Sequence, residues 1–506
     1  MEYIVTVADP QVWDTLWDEL TSNGLGDNFI PDHAVTVINE RPFNDFSAHF
    51  DLTNEEAQNL RLDPRIQSVE LQADQQPGII KRFNGQRLGN YDRNPYSTTS
   101  TMKNWGLLRC SNQADPFGTA STLQTNFNYN LDGSGVDIIL IDTGVEAGHP
   151  EFAVNADGTG ASRVVDFDWY SLGVPGVPSG PTIGGYIGDS DGHGSNCASI
   201  AAGNTCGWAP GAAIYSIRIF GGTSIKTGAT LGVINSDFAF DLVRAFHLKK
   251  IAEGNTRPTV CSNSWGYYAY YSGMQTTNFR GTVYTTSSRN ANYGQVASIH
   301  GARTIYVDTA VENCANAGVI LIGAAGNYSH KIDVPGGIDY NNYWSNGWGN
   351  TYYHRGSSPT ATPSMINVGA TDSVLSNPAV ERKAYFSETG PRVDVYAPGT
   401  MIMGAYANKS YQTYAVADLR KSGYYLNKIS GTSQATPQVA GYVACLLQLR
   451  PTSNVGDIKN FISTHSNKNK LAEGVESWTN QYTLHGGANS YLYTPFTNPS
   501  RGSITS

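Results

Sequence analysis

Alternation of apolar and polar positions opens the chain. Residues 3–7 (Y-I-V-T-V) alternate and predict a strand. Trp13, Leu16, Trp17 and Leu20 then recur at i, i+3, i+4 and i+7, the spacing of an amphipathic helix, with Asn23-Gly24 as its stop. Residues 34–38 and 46–52 predict two further strands. Thr53 followed by Glu56 forms a capping box, which opens a short helix running to Leu60. Asp63-Pro64 breaks the chain, and residues 66–71 predict a last strand. The order βαββαβ over residues 1–75 is that of a split ferredoxin-like unit. By itself such a unit suits any small α/β binding module.

The pattern changes twice after that. Residues 76–104 are rich in Gln, Asn, Ser, Thr and Gly with scattered Lys and Arg, and they lack periodicity. They read as an exposed linker and a natural place for proteolytic cutting. From residue 105 to 506 the apolar residues come in continuous runs. Residues 135–142, 259–266, 318–327 and 365–370 predict strands buried on both faces. Helix-like stretches lie between them, at 235–251 and 302–317. Strands alternating with helices predict an α/β architecture in three layers, with a mostly parallel central sheet. Near the end, G-T-S-Q-A-T-P-Q-V-A-G (431–441) leads into Val439, Ala440, Val443, Leu446 and Leu447, the spacing of a buried helix.

Composition narrows the function classes. The net charge of −9, with no long basic run, argues against a nucleic-acid partner. No apolar run reaches the length of roughly 18 residues that a membrane span needs. Met1 to Val7 lacks the basic start and long apolar segment of a secretory signal, so an intracellular or virion-associated location is expected. The 6 cysteines are scattered without a CxxC pair, which fits neither a zinc site nor a small disulfide scaffold. Reduced thiols are expected.

Four polar residues sit where an α/β sheet builds its sites. Asp142 closes the first buried run, in D-T-G. His193 opens a small-residue helix, in G-H-G-S. Asn327 closes the A-A-G-N run, and Ser433 stands at the start of the last buried helix. Each has a bland reading: a turn aspartate, a hydrogen-bonded core histidine, a strand-end asparagine, a helix N-cap. A serine at a helix start also sits among free N–H groups, which suits a nucleophile whose reaction makes an oxyanion.

Taken in order, these residues carry a resemblance. I-D-T-G-V-E-A-G-H-P-E-F (141–152), D-G-H-G-S-N-C-A-S-I-A-A-G (191–203), A-P-G-A (209–212), S-W-G (264–266), A-A-G-N (324–327) and the stretch 431–441 resemble the signature blocks of subtilisin-like serine proteases. The first two lean towards the proteinase K branch. The stretch 50–70 (F-D-L-T-N-E-E-A-Q-N-L-R-L-D-P-R-I-Q-S-V-E) resembles part of that family's propeptide inhibitor domain. The resemblance implies the subtilisin-like three-layer fold and peptide-bond hydrolysis without a chemical cofactor. It implies Ser433 as nucleophile, His193 as base, Asp142 as the residue orienting it, and Asn327 with the Ser433 N–H as oxyanion donors. It further implies that Ser264-Trp265-Gly266 pairs with the substrate backbone and that Ala324-Ala325-Gly326 walls the first pocket, with room for a medium or large apolar side chain. The N-terminal unit would be the chain's own intramolecular inhibitor.

Some positions depart from the family pattern. Gln434 stands where methionine is usual, and Ser195-Asn196 where Thr-His is usual; Cys197 matches a free cysteine of the proteinase K branch. Residues 267–298 and 327–363 look like insertions, rich in Tyr, Asn, Trp and Gly, serving either binding or decoration. Calcium is common in the family; no EF-hand-like spacing occurs, and Asp189, Asp333 and Asp339 are the candidate ligands. A rival reading is an assembly or virion-associated protein of the same fold that cuts only itself or a neighbouring subunit.

Overall fold

The computed structural model describes residues 1–22, 33–39, 47–71, 85–94, 102–177, 187–373, 380–407 and 415–495. Two units divide the chain, Met1–Phe83 and Asn84–Ser506.

In the first unit, β1 (Glu2–Val7), α1 (Trp13–Thr21), β2 (Thr36–Asn39), β3 (Ser47–Asp51), α2 (Asn54–Leu60) and β4 (Ile66–Leu71) follow in the expected order. The sheet is antiparallel, ordered β2-β3-β1-β4. Alternation in β1 buries Tyr3, Val5 and Val7. α1 lays Leu16 and Leu20 on that face, and Trp17 packs against Phe50 with ring centroids 5.6 Å apart. The capping box forms as read: Thr53 Oγ1 accepts from Glu56 N, and Glu56 Oε2 accepts from Thr53 N. The turn at Asn23-Gly24 lies outside the described residues.

The expected linker 76–104 differs from the structure. Gly85–Asp92 is a strand of the second unit, paired antiparallel along its whole length with Thr122–Tyr129. Its buried positions include Arg87, Tyr91 and Asp92, which do not read as apolar. The Arg87 guanidinium lies 4.5 Å from the Tyr129 ring centroid and donates to the Gly207 carbonyl.

The second unit is organised on a nine-stranded sheet. Its centre comprises β5 (Asp137–Asp142), β6 (Ala213–Arg218), β7 (Thr259–Asn263), β8 (Ile320–Ala324), β9 (Ile366–Thr371) and β10 (Val395–Pro398). They run parallel in the spatial order β6-β5-β7-β8-β9-β10. β5, β7, β8 and β9 are buried at every position, which explains their unbroken apolar runs. Helices α3 (His193–Ala202), α4 (Ala239–Ala252), α5 (Ile305–Asn316) and α6 (Thr432–Leu449) cover the sheet. A core of Ile139, Ile141, Phe240, Val243, Val311 and Leu321 forms between the sheet, α4 and α5.

The two insertions, read as loops, build one sheet. Thr276–Phe279 and Thr282–Thr285 come from the first, Tyr343–Ser345 and Asn350–Tyr352 from the second, in one antiparallel ladder. These strands are three or four residues long, too short to show a period. All six cysteines are free and buried. No helix among the described residues is long and apolar enough to cross a membrane.

Candidate active site

Parallel strands deliver their C-terminal ends to one edge of the sheet. β5 ends there on Asp142, β7 passes into Ser264, and β8 passes through Ala324 into Ala325, Gly326 and Asn327. The register pairs Asn263 with Gly323, so Ser264-Trp265-Gly266 and Ala324-Ala325-Gly326 leave adjacent strands side by side.

Asp142 is buried, and its Oδ1 accepts from Thr143 N at 2.7 Å and from His193 Nδ1 at 2.8 Å. This contact fixes the tautomer: Nδ1 carries the proton, and Nε2 is left as a base. The His193 side chain keeps 26% of its surface exposed, enough to meet a substrate. Burial alone pulls its pKa down; the Asp142 carboxylate outweighs burial and holds the imidazole well above its ordinary value.

The start of α3 is braced from below. Asp189, also buried, accepts from Thr143 Oγ1, Asp191 N, Gly192 N and Ser195 N, all within 3.0 Å. Thr143 Oγ1 in turn accepts from Gly194 N at 2.9 Å. The helix abuts the D-T-G turn so closely that a Cβ at Gly194 would stand 2.1 Å from the Gly144 carbonyl oxygen. Only glycine allows His193 this approach.

Ser433 lies in the first turn of α6. Thr432 N and Thr432 Oγ1 both donate to Asn327 Oδ1, each at 2.9 Å. Because the acceptor of an N–H must be the amide oxygen, the Asn327 amide nitrogen faces the other way. Neither that nitrogen nor the Ser433 N–H has a protein acceptor among the described residues. Two free donors therefore flank the serine. In this rotamer Ser433 Oγ donates to the Ser264 carbonyl at 3.2 Å, and no hydrogen bond joins it to His193 among the described residues. Ser264 Oγ returns the contact by donating to the Ser433 carbonyl at 3.0 Å. Cys197 Sγ lies 3.3 Å from that carbonyl and 3.9 Å from His193 Nδ1, so one sulfur touches both neighbours. Ligand atoms of Asp142, His193 and Cys197 come within 4.8 Å of one another. Burial pushes the Cys197 thiol up, which makes it a neutral neighbour of the imidazole rather than a thiolate ligand.

The departures from the family pattern meet in space. Gln434 Nε2 donates to Asn196 Oδ1 at 3.3 Å, and Asn196 Nδ2 donates to the Asn427 carbonyl at 3.3 Å. The residue after the serine and a residue after the histidine thus share one polar contact.

The acids considered for calcium do not fit it. Asp339 takes Arg280 at 2.7 Å and Lys331 at 2.8 Å, and Lys331 also reaches Asp333 at 3.3 Å. Burial raises the Asp339 carboxyl, but Arg280 and Lys331 together hold it well below the usual range. Asp189 is filled by the four donors above. These carboxylates already have their cations or N–H groups.

Sequence reading alone leaves out Ser264 Oγ as a partner of the Ser433 carbonyl, Thr432 as the clamp on Asn327, and Asp189 as the brace of α3. The T-G pair after Asp142 and the D-x-D-G run before His193 are the local signals for the brace.

The subtilase family model, Peptidase_S8, matches residues 133–482. An extracellular serine proteinase of Thermus sp. (strain Rt41A) is 25% identical over 446 residues, covering 88% of this chain and 75% of that relative. The alkaline serine protease ver112 of Corniculantispora psalliotae is 26% identical over 455 residues, covering 90% and 84%. Alkaline serine exoprotease A of Vibrio alginolyticus is 24% identical over 443 residues, covering 88% and 57%. The fungal relative accords with the proteinase K-like blocks. An extracellular name among these relatives overturns the expectation of an intracellular or virion-associated chain. That expectation leaned on the polarity of residues 1–7, which β1 explains by its pairing with β3 and β4. With a family match over most of its length and the α/β architecture that goes with it, this chain belongs to the subtilase family and is a subtilisin-like serine protease.

Proposed function

We propose that the chain is an endopeptidase working through Asp142, His193 and Ser433, made as a precursor whose residues 1–83 inhibit it. The observation that carries the catalytic reading is the 2.8 Å contact of His193 Nδ1 with Asp142, which makes Nε2 the base of the neutral imidazole beside the start of α6. A substrate binds extended, its backbone adding a strand along Ser264-Trp265-Gly266, with its side chain against Ala324-Ala325-Gly326. Ser433 Oγ leaves the Ser264 carbonyl by rotation about χ1 and attacks the peptide carbonyl carbon. His193 Nε2 takes the hydroxyl proton, and Asp142 stabilises the imidazolium. The oxyanion receives the Asn327 amide and the Ser433 N–H, both free of protein acceptors among the described residues. The imidazolium then protonates the leaving amine. Water, activated by the same imidazole, hydrolyses the acyl-enzyme and restores Ser433.

A fluorophosphonate probe tests this reading. It should label Ser433 in the wild type and nothing in Ser433→Ala. Equal peptidase activity of the two proteins would refute the assignment.

For the N-terminal unit, the support is its βαββαβ order, its own apolar core and its division from the rest after Phe83. Since Gly85–Asp92 is a strand of the second unit, maturation should cut ahead of Gly85. N-terminal sequencing of active protein should find a start between the end of β4 and Gly85. Active protein that still begins at Met1 would count against the inhibitor role.

A further inference from the structure

Directly behind the wall of the substrate pocket lies a carboxyl group that nothing yet described uses. Glu388 is 1% exposed, and both of its oxygens are buried without a hydrogen-bond partner among the described residues. Leaving such a group unpaired is costly, and native proteins rarely keep one without a reason. Its position is specific. A Cβ at Gly326 would stand 2.5 Å from Glu388 Cδ, 2.6 Å from Oε1 and 2.9 Å from Oε2. The carboxyl thus lies flat against the bare Cα of the pocket wall. Gly326 is required there twice over, by this contact and by its φ of 123°. The backbone holds the two together, with Glu388 N donating to Gly326 O at 2.9 Å.

The opposite wall reaches the same place. Tyr268, two residues past Gly266, packs its ring 5.0 Å from that of Tyr328. Its hydroxyl bonds Ser357 and lies within electrostatic reach of the Glu388 carboxyl. Ser357 Oγ lies 2.6 Å from where a Cβ of Gly266 would stand. Glu388 therefore backs the Gly326 wall, and Tyr268 with Ser357 links it to the Gly266 side. Lys383 acts on Glu388 electrostatically without bonding it: its Nζ donates to the Ala384 and Ser387 carbonyls, at 3.1 and 2.8 Å, and among the described residues it makes no ion pair with Glu388.

We propose that Glu388 determines specificity in the substrate pocket, selecting peptides with lysine or arginine before the scissile bond. This rests on the peptidase reading above and names its substrate class. Small residues at 324–326 alone imply room for an apolar side chain; the acid behind them changes what the base of the pocket prefers. A substrate ammonium or guanidinium supplies the partner that the protein withholds. Burial pushes the empty pocket's carboxyl well above its usual range. The incoming cation favours the carboxylate, and the released proton passes to solvent.

The test compares kcat/KM on peptides that differ only before the scissile bond, Lys or Arg against Leu or Phe. In the wild type the basic residues should be preferred. In Glu388→Gln the Lys-to-Leu ratio should fall about 10–10²-fold, the loss expected when a hydrogen bond to a charged group is weakened. A ratio that moves less than about threefold, or a wild type preferring Leu or Phe, would overturn the inference. Fluorophosphonate labelling of Ser433 separates the two levels. A labelled protein without basic preference defeats only the role of Glu388; an unlabelled wild type defeats the peptidase reading, and this inference with it. Should Glu388→Gln fail to fold, inhibition of the wild type decides: benzamidine should compete with substrate and neutral benzamide should not, and equal effects would overturn the proposal.

Discussion

Pro437 lies four residues after Ser433 on α6, and the serine carbonyl therefore has no helical N–H to accept from. Two side chains from other elements take its place, Ser264 Oγ at 3.0 Å and Cys197 Sγ at 3.3 Å. A proline inside a helix ordinarily weakens it; here it opens a backbone acceptor that ties the serine to β7 and to α3. Ser264→Ala should leave only the weak thiol donor. The expected cost is about 1 kcal/mol of stability. Denaturation of Ser264→Ala on a Ser433→Ala background, where self-digestion cannot interfere, measures it. No loss would mean that the thiol alone satisfies the carbonyl.

The Asp142–His193 contact sets the pH profile. Catalysis needs neutral His193, so kcat/KM should climb with pH to a plateau. The midpoint should lie above the ordinary histidine value of about 6.5, because the carboxylate outweighs burial. The sign for stability is opposite. A histidine raised in the folded state contributes fully below its unfolded pKa, and that contribution is lost as pH rises through the folded value. In Asp142→Asn the charge is gone while burial stays, so the His193 titration should move down. NMR titration of the imidazole in both proteins reads this directly; a midpoint that stays put would show that Asp142 does not govern it.

Asn327 has two jobs, and substitutions separate them. Its oxygen clamps Thr432, and its nitrogen has no acceptor among the described residues. Asn327→Ala should lower kcat about 10²–10³-fold with little change in KM. Asn327→Asp keeps the acceptor for Thr432 but puts negative charge where the oxyanion would form. It should be worse than Ala in kcat, although its helix start is better held. If Asp proved more active than Ala, the clamp rather than the donor would be the residue's contribution.

Much of the fold was legible because its signals are local. The capping box at Thr53 and Glu56, the strand Ile66–Leu71 and the unbroken run ending at Asp142 are each written within a few consecutive residues. What escaped had no local signature. Gly85–Asp92 buries an arginine and a tyrosine, so its alternation does not look apolar. Among the described residues, the four short strands of the insertions find partners only in one another. In the candidate site, residue types at strand ends were visible, whereas partners were not. Ser264 and Ser433 are 169 residues apart, and Asn196 and Gln434 are 238 apart. Without an alignment, no run of sequence links such pairs.

The Asn196–Gln434 contact yields a coupling prediction. Gln434→Met removes the donor to a buried amide oxygen, and Asn196→Leu removes the acceptor. Each alone should cost about 1 kcal/mol. The double substitution removes the contact from both sides and should cost less than the sum, by about 0.5 kcal/mol or more. A double-mutant cycle of denaturation midpoints, again on the Ser433→Ala background, provides the comparison. Strict additivity would mean that the two departures are independent.

Between the insertions, Arg280 and Asp339 form an ion pair that a metal would have to displace. Asp339 is fully buried and takes both Arg280 and Lys331, while Arg280 is 43% exposed. Arg280 N also donates to Asn342 Oδ1 at 2.7 Å, which pins the first insertion to the second. Arg280→Ala leaves Lys331 as the remaining cation, so the loss is smaller than for a fully stripped buried charge. About 1–2 kcal/mol is expected, discounted for the solvent screening of the arginine. Lys331→Ala removes the buried cation that serves both Asp333 and Asp339 and should cost more. Calcium offers a further discriminating readout. If Lys331 supplies the charge these carboxylates need, Lys331→Ala should gain more stability from calcium than the wild type does. A Lys331→Ala protein no more responsive to calcium than the wild type would refute this account of the acids.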